Sequence, residues 1–266
     1  MNRTTRFLEI ALSLGLDSFY PAQKNAASTT QQFVYCLLSS GIISSQREFK
    51  FSISERSAEA VGVYAKYVLP RFIDLSMRNK DAARIRAEWV PQARGDVLEV
   101  GIGSGLNLPL YSREVRLVYG VDPSLELQKI ARQRLSGQAI KVDFLLQSAE
   151  RTLPLSDKSI DTVVMTWTLC SIANPLRALQ EMKRVLKPSG RLIFVEHGRS
   201  PDSKVAAWQD RLTPVWRRIG GGCHLNRKVD ALLAEAGFSI AELKTTYLRG
   251  PRPMTFTYQG FARREP

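Results

Sequence analysis

Metal-binding and disulfide-forming residues are scarce in this chain. Its 266 residues include three cysteines, Cys36, Cys170 and Cys223, and two histidines, His197 and His224. Three scattered cysteines cannot build a disulfide framework and point to a reducing compartment. With two histidines at these positions, a structural zinc site is not expected either. Long apolar runs are also missing. The longest, Phe33 to Ile43, is broken by serines, and a membrane-spanning helix needs about 20 mostly apolar residues. Acidic residues are outnumbered, 25 against 38 lysines and arginines, for a net charge of +13. Such a surplus suits general solubility, acidic small molecules or an anionic membrane surface. There is no dense Lys/Arg block and no nucleic-acid-binding motif, so specific nucleic-acid binding is not expected. The expectation is a cytoplasmic protein with scope for peripheral contact with an anionic membrane surface.

The chain reads in two parts. Residues 1–54 are rich in Ser, Thr, Gln and Ala and carry three acids, Glu9, Asp17 and Glu48. A basic start followed by Phe7-Leu8 resembles a targeting segment, but Glu9 breaks the apolar run. A poorly ordered extension is the plainer reading. Residues 55–266 read as one domain that opens with helices over 55–92. Ala60, Val63, Tyr64, Tyr67 and Val68 recur at helical spacing, and a second helix is predicted from Arg71 to Trp89.

After Gly95 strands and helices alternate. The predicted strands are Asp96–Val100, Leu117–Val121, Val142–Leu146, Thr162–Thr166 and Arg191–Glu196, with helices such as Ser124–Leu135 and Pro175–Leu186 between them. Apolar strands alternating with helices argue for a parallel sheet covered on both faces. Near the end, Arg227–Ala236 reads as a helix stopped by Gly237. Phe238–Tyr247 and Met254–Arg263 read as strands joined by a short link, so they pair antiparallel. The expected fold is therefore α/β and Rossmann-like, with one reversed strand near the C-terminus.

The chemistry gathers at the ends of the strands. Glu99-Val100-Gly101-Ile102-Gly103-Ser104-Gly105 is a strand running into a glycine-rich turn, with a helix expected after it. Glycines there let backbone approach a ligand closely. A dinucleotide fingerprint needs a glycine three positions after Gly103, and Leu106 stands there. The pattern favours a nucleoside without a pyrophosphate, and Glu99 suits a cationic group. Asp122 ends the second strand, about 20 residues on, where an acid accepts both ribose hydroxyls. Its rival role is helix capping, for which Ser124 is as good. Ser148-Ala149-Glu150, after the third strand, is suited to an adenine edge or is an ordinary loop.

These motifs, with Leu155 to Asp161 and the run from Arg184 to Leu192, resemble the class I S-adenosylmethionine (SAM)-dependent methyltransferases. The resemblance covers about Tyr64 to the C-terminus. It implies a seven-stranded sheet with its last strand reversed and SAM as cofactor. It also implies cofactor contacts at Glu99, Gly101, Gly103, Gly105, Asp122, Pro123, Ala149, Glu150, Thr166 and Leu169. A narrower resemblance rests on Gly103 to Tyr111, Leu169-Cys170-Ser171-Ile172, Val195-Glu196-His197 and Gly222 to Arg227. These look like the methyltransferase-like-seven group of small thiol methyltransferases and the type 11 quinone and phospholipid methyltransferases. Known members of that group associate with membranes through an apolar N-terminal segment, and residues 1–54 are too polar to match it.

Methyl transfer implies a small, apolar acceptor: a thiol, a lipid amine headgroup or a quinone-type carbon. His197, at the end of the fifth strand, is the candidate general base or a pocket wall. Trp167, Cys170, Trp216 and His224 are candidate acceptor-pocket residues, although tryptophans and cysteines are as often core. Residues 200–218 form an amphipathic helical pattern that suits a lid, a membrane-facing surface or a helix packed on the sheet. A nicotinamide-dependent oxidoreductase and a non-catalytic SAM- or RNA-binding module are the alternatives. The first is disfavoured by Leu106. Thr166-Trp167-Thr168-Leu169, in place of an Asn/Asp-Pro-Pro-aromatic motif, disfavours methylation of base amino groups.

Overall fold

The computed structural model describes residues 68–265. The chain divides into units 1–60 and 61–266, and all the described residues belong to the second. The predicted extension over 1–54 and most of the helix expected over 55–70 lie outside them.

Seven strands form one sheet in the order β3-β2-β1-β4-β5-β7-β6. They are β1 (Gly95–Val100), β2 (Val115–Val121), β3 (Val142–Leu145), β4 (Ile160–Thr166), β5 (Leu186–His197), β6 (Phe238–Tyr247) and β7 (Phe256–Arg264). Strands β1 to β5 pair in parallel. β7 runs antiparallel to both neighbours, so it is the single reversed strand. The order reverses between β1 and β4, and ligands of such sheets bind at the carboxyl ends beside that point. The central strands are apolar on both faces. Leu98, Val100, Val163 and Met165 pack into one core and Val97, Val118 and Val164 into the other.

Six helices surround the sheet among the described residues: α1 (Leu69–Ser76), α2 (Lys80–Trp89), α3 (Leu125–Leu135), α4 (Pro175–Val185), α5 (Ser203–Ile219) and α6 (Val229–Glu235). Their starts follow capping chemistry. Ser124 accepts the Leu127 N–H, Asn174 the Arg177 N–H, and Asp202 the Lys204 and Val205 N–H groups. Gly237, at φ +78°, ends α6 as expected.

Two local expectations fail. The single helix expected over 71–89 is two. Asn79 is extended, caps α2 through the Ala82 N–H, and returns its amide to the Ser76 carbonyl, closing α1. The glycine turn after β1 leads to a 3₁₀ turn at Leu108–Leu110, not an α-helix. Pro109 lacks an N–H, and the Asn107 side chain bonds into the interior instead of capping.

Candidate active site

The turn after β1 is built by glycine. Gly101 has φ +73°, and a Cβ there would lie 2.1 Å from Thr168 Oγ1. The turn therefore presses against the segment after β4. Beside Gly103, at φ +52°, a Cβ would meet nothing nearer than 3.8 Å, which leaves room for a ligand. Asp122 fixes this loop. Its carboxylate accepts the Gly103 N–H at 3.0 Å and the Ser124 N–H at 2.8 Å. Ser124 itself caps α3. Burial pushes the Asp122 carboxyl up, and the two backbone N–H groups oppose that.

Glu99 is 1% exposed at the end of β1. It accepts Asn107 Nδ2 at 2.9 Å and the Tyr111 hydroxyl at 2.8 Å. Burial pushes its carboxyl up to about 7, against the pull of those donors and of the Arg86 guanidinium. Arg86 is buried in turn, which brings it down to about 10. It stacks 4.7 Å over the Trp167 ring and donates to the Met77 carbonyl. Asn107 donates to Glu99 and Thr166, yet its Oδ1 is buried with no partner. Trp167 adopts φ +51°, a conformation rare for a bulky residue, and its N–H bonds to the Val195 carbonyl.

These groups border a cavity of about 420 Å³. Among the residues singled out in the sequence, Glu99, Gly101, Gly103, Asp122, Pro123, Ala149, Glu150, Thr166 and Trp167 line it. Glu150 also accepts the Asn174 N–H, tying the wall to the start of α4. Gly105 packs instead against Leu108 and Ala131. Leu169 is fully buried, and its N–H, with those of Thr168 and Cys170, donates to the buried Glu196 carboxylate. His197, Cys170, Trp216 and His224 lie outside the lining. Both His197 ring nitrogens are engaged, one with the Met254 carbonyl and one with Cys223. The His224 ring and backbone N–H both meet the Cys170 carbonyl.

Ser148, read in the sequence with Ala149 and Glu150, lines the cavity too, as do Arg86, Asn107, Thr168, Ser171 and Gly221, to which the sequence reading gave no site role. Asn107 carried a signal in its place just after the glycines. Arg86 carried none, since a basic residue in a helical pattern reads as a solvated face.

A methyltransferase-domain family matches residues 98–194, the stretch that supplies most of the cavity. A phosphatidylethanolamine N-methyltransferase of Cereibacter sphaeroides is 31% identical over 190 residues, covering 71% of this chain and 88% of that protein. The chain belongs to the SAM-dependent methyltransferase family. A thiol S-methyltransferase of Rattus norvegicus is 36% identical over 151 residues, 56% of this chain. The chain spans 62% of that relative's length. A crystal structure of a SAM-dependent methyltransferase from Methanosarcina mazei superimposes with a TM-score of 0.53. It is 23% identical, covering 65% of this chain and 94% of the other. That likeness speaks for the fold. The reversed β7 agrees with the sheet expected for that family.

Proposed function

We propose that this member of the family binds SAM in the cavity and transfers its methyl group to a small apolar acceptor. The observation that carries the reading is the set of polar groups that share the cavity lining. Asp122 offers a carboxylate beside the open space at Gly103, suited to ribose hydroxyls. Glu99 and the unpartnered Asn107 Oδ1 suit an ammonium, and Arg86 suits a carboxylate, the two charges of an amino acid. Residues Ser148 to Glu150, also in the lining, suit the base. The bound sulfonium supplies an activated methyl group, while the chain's task is to hold, align and keep water out. A leading role for alignment agrees with a lining that includes neither histidine.

The acceptor side is apolar, with Ile73, Met77 and Ile172 in the lining. A cavity of about 420 Å³ is near the lower end of the roughly 300–1,000 Å³ of ligand sites. A nucleoside with an amino-acid tail fills most of it, so a long acceptor must enter from the rim. Just before Gly221, which lines the cavity, α5 buries Val205, Ala206, Gln209 and Thr213 against the domain. It exposes Trp208, Leu212, Val215 and Ile219 at helical spacing, at 54%, 37%, 54% and 38%. Arg211 and Arg217 flank that stripe, which suits an anionic bilayer delivering a lipid-soluble acceptor.

Two measurements test this. Calorimetry with SAM and its demethylated product should show binding, and methyl-labelled SAM should label a thiol, a lipid amine or a quinol. Tight nicotinamide-dinucleotide binding without SAM binding would sink the reading. Sedimentation with phosphatidylserine-containing vesicles should retain the protein, and Trp208→Ala with Val215→Ala should release it. Equal partition of both proteins would count against the membrane contact.

A further inference from the structure

Three reactive side chains meet behind the cavity wall. Cys170 lies in the turn after β4, His197 ends β5, and Cys223 lies in the loop between α5 and α6. Their donor atoms all fall within 4.8 Å of one another. Cys223 Sγ is 3.6 Å from His197 Nδ1. Both cysteines are buried and free.

The histidine is held in a telling way. Its Nε2 bonds to the Met254 carbonyl. A carbonyl only accepts, so Nε2 carries a proton and Nδ1 is the ring nitrogen turned toward the sulfurs, the one that would ligate once it holds no proton. Metal-binding histidines are held in this manner, one nitrogen tied to an acceptor and the other free to ligate. The surroundings also fit. Trp216 packs on the two cysteines. Arg227 donates to the Leu169 carbonyl, and its charge acts on Cys170, Cys223 and Glu196 alike. A divalent cation on two thiolates adds no net charge, which avoids the cost of an uncompensated interior charge.

We infer that Cys170 Sγ, Cys223 Sγ and His197 Nδ1 form a site for a thiophilic divalent cation, zinc foremost, with a fourth position for water or an exogenous thiolate. Two sulfurs and an imidazole select zinc over magnesium or calcium, which take oxygen ligands. Zinc–sulfur bonds of about 2.3 Å put two sulfurs roughly 3.8 Å apart in a tetrahedral site. The donors, all within 4.8 Å, reach that by side-chain adjustment of roughly 1 Å, judged against the same bond lengths. Each thiol gives up its proton as the metal–sulfur bond forms. The ion would clip three separate segments together. Ser171 follows Cys170 and Gly221 closely precedes Cys223, and both line the cavity. Occupancy would thus set the shape of the acceptor-side wall. The inference rests on the cluster alone and stands whether or not SAM is the cofactor.

The test uses the full chain, reduced, stripped with a chelator and titrated with Co(II). One cobalt per chain is expected, with thiolate-to-cobalt charge-transfer absorption and the visible bands of a four-coordinate ion. Zn(II) should displace the cobalt and protect Cys170 and Cys223 from alkylation, read by peptide mass spectrometry. Cys170→Ser, Cys223→Ser and His197→Ala should each weaken binding by more than the roughly 10–100-fold typical of outer-shell changes, while Cys36→Ser should keep it. If a variant does not fold, the alkylation pattern of the unaltered protein still decides. Absence of charge-transfer absorption and of protection overturns the inference. So does a peptide map in which Cys170 and Cys223 are joined as a disulfide and the chain takes up no metal.

Discussion

Glu99→Gln isolates the charge that the cavity offers a cation. The carboxylate accepts hydrogen bonds from Asn107 and Tyr111. A glutamine can keep its oxygen on Asn107 and turn its NH₂ to the Tyr111 oxygen, so the local network survives. What disappears is the negative charge. A buried hydrogen bond to a charged group contributes about 1.5–3 kcal/mol, so SAM affinity at pH 8 should fall roughly 10–150-fold. The pH profile sharpens the test. The Glu99 carboxyl is pushed up to about 7, so at pH 6 the free protein holds the proton, and a cationic ligand must displace it. Affinity of the unaltered protein should fall by up to about tenfold per pH unit below 7, while Glu99→Gln should lack that dependence. Stability moves the other way. Between 4.5 and about 7 the native state binds this proton and the unfolded chain does not. The contribution is therefore complete below 4.5 and is lost as pH rises through about 7, a change of about 3 kcal/mol. The glutamine variant escapes that loss, so at pH 8 it should bind SAM more weakly yet melt no lower than the parent. Calorimetry and thermal unfolding at pH 6 and 8 read both effects. Unchanged SAM affinity at pH 8, or weaker binding together with a lower melting temperature, would refute the reasoning.

Other outcomes are expected. Asp122→Ala should weaken SAM binding by about 1.5–3 kcal/mol through loss of a charged acceptor; calorimetry returning parental affinity would deny Asp122 the ribose role. Gly101→Ala adds a Cβ at φ +73° against Thr168 and should cost at least about 1–3 kcal/mol of stability. Denaturant titration reads this, and Thr168→Ala in the same chain should recover only part of the contact cost, because the Cβ at 168 would still lie 2.8 Å away, and none of the backbone part. Deleting residues 1–54 should leave SAM binding intact, because the cavity lining runs from Ile73 to Gly221. Loss of binding in the truncated protein would mean that the segment belongs to the domain.

What was legible in the sequence was local or periodic. β6 was legible to the residue, because Phe238–Tyr247 starts after a helix-ending glycine and stops at a turn-rich link. The acids at the tips of β1 and β2 stood out, since a charge closing an apolar run has no packing reason to be there. The break between α1 and α2 did not, because Asn79 fits a helical polar face until its side chain is seen to cap. Arg86 was hidden for a different reason. Its burial depends on the nearby Met77 carbonyl and on the Trp167 ring, which a distant chain segment brings to it. Cys170, His197 and Cys223 have no common spacing to notice, since the turn after β4, the end of β5 and the loop after α5 meet only once the sheet has formed.

The family match does not cover the two sides of the cavity equally. The glycine turn, Asp122 and the segment after β4 fall within the matched 98–194 stretch, whereas α1, α5 and the Gly220–Gly222 loop lie outside it. Selection can therefore rewrite one wall while the other is kept under restraint. Exchanging residues 200–222 between family members is the laboratory version of that rewriting, and acceptor preference should travel with the exchanged piece.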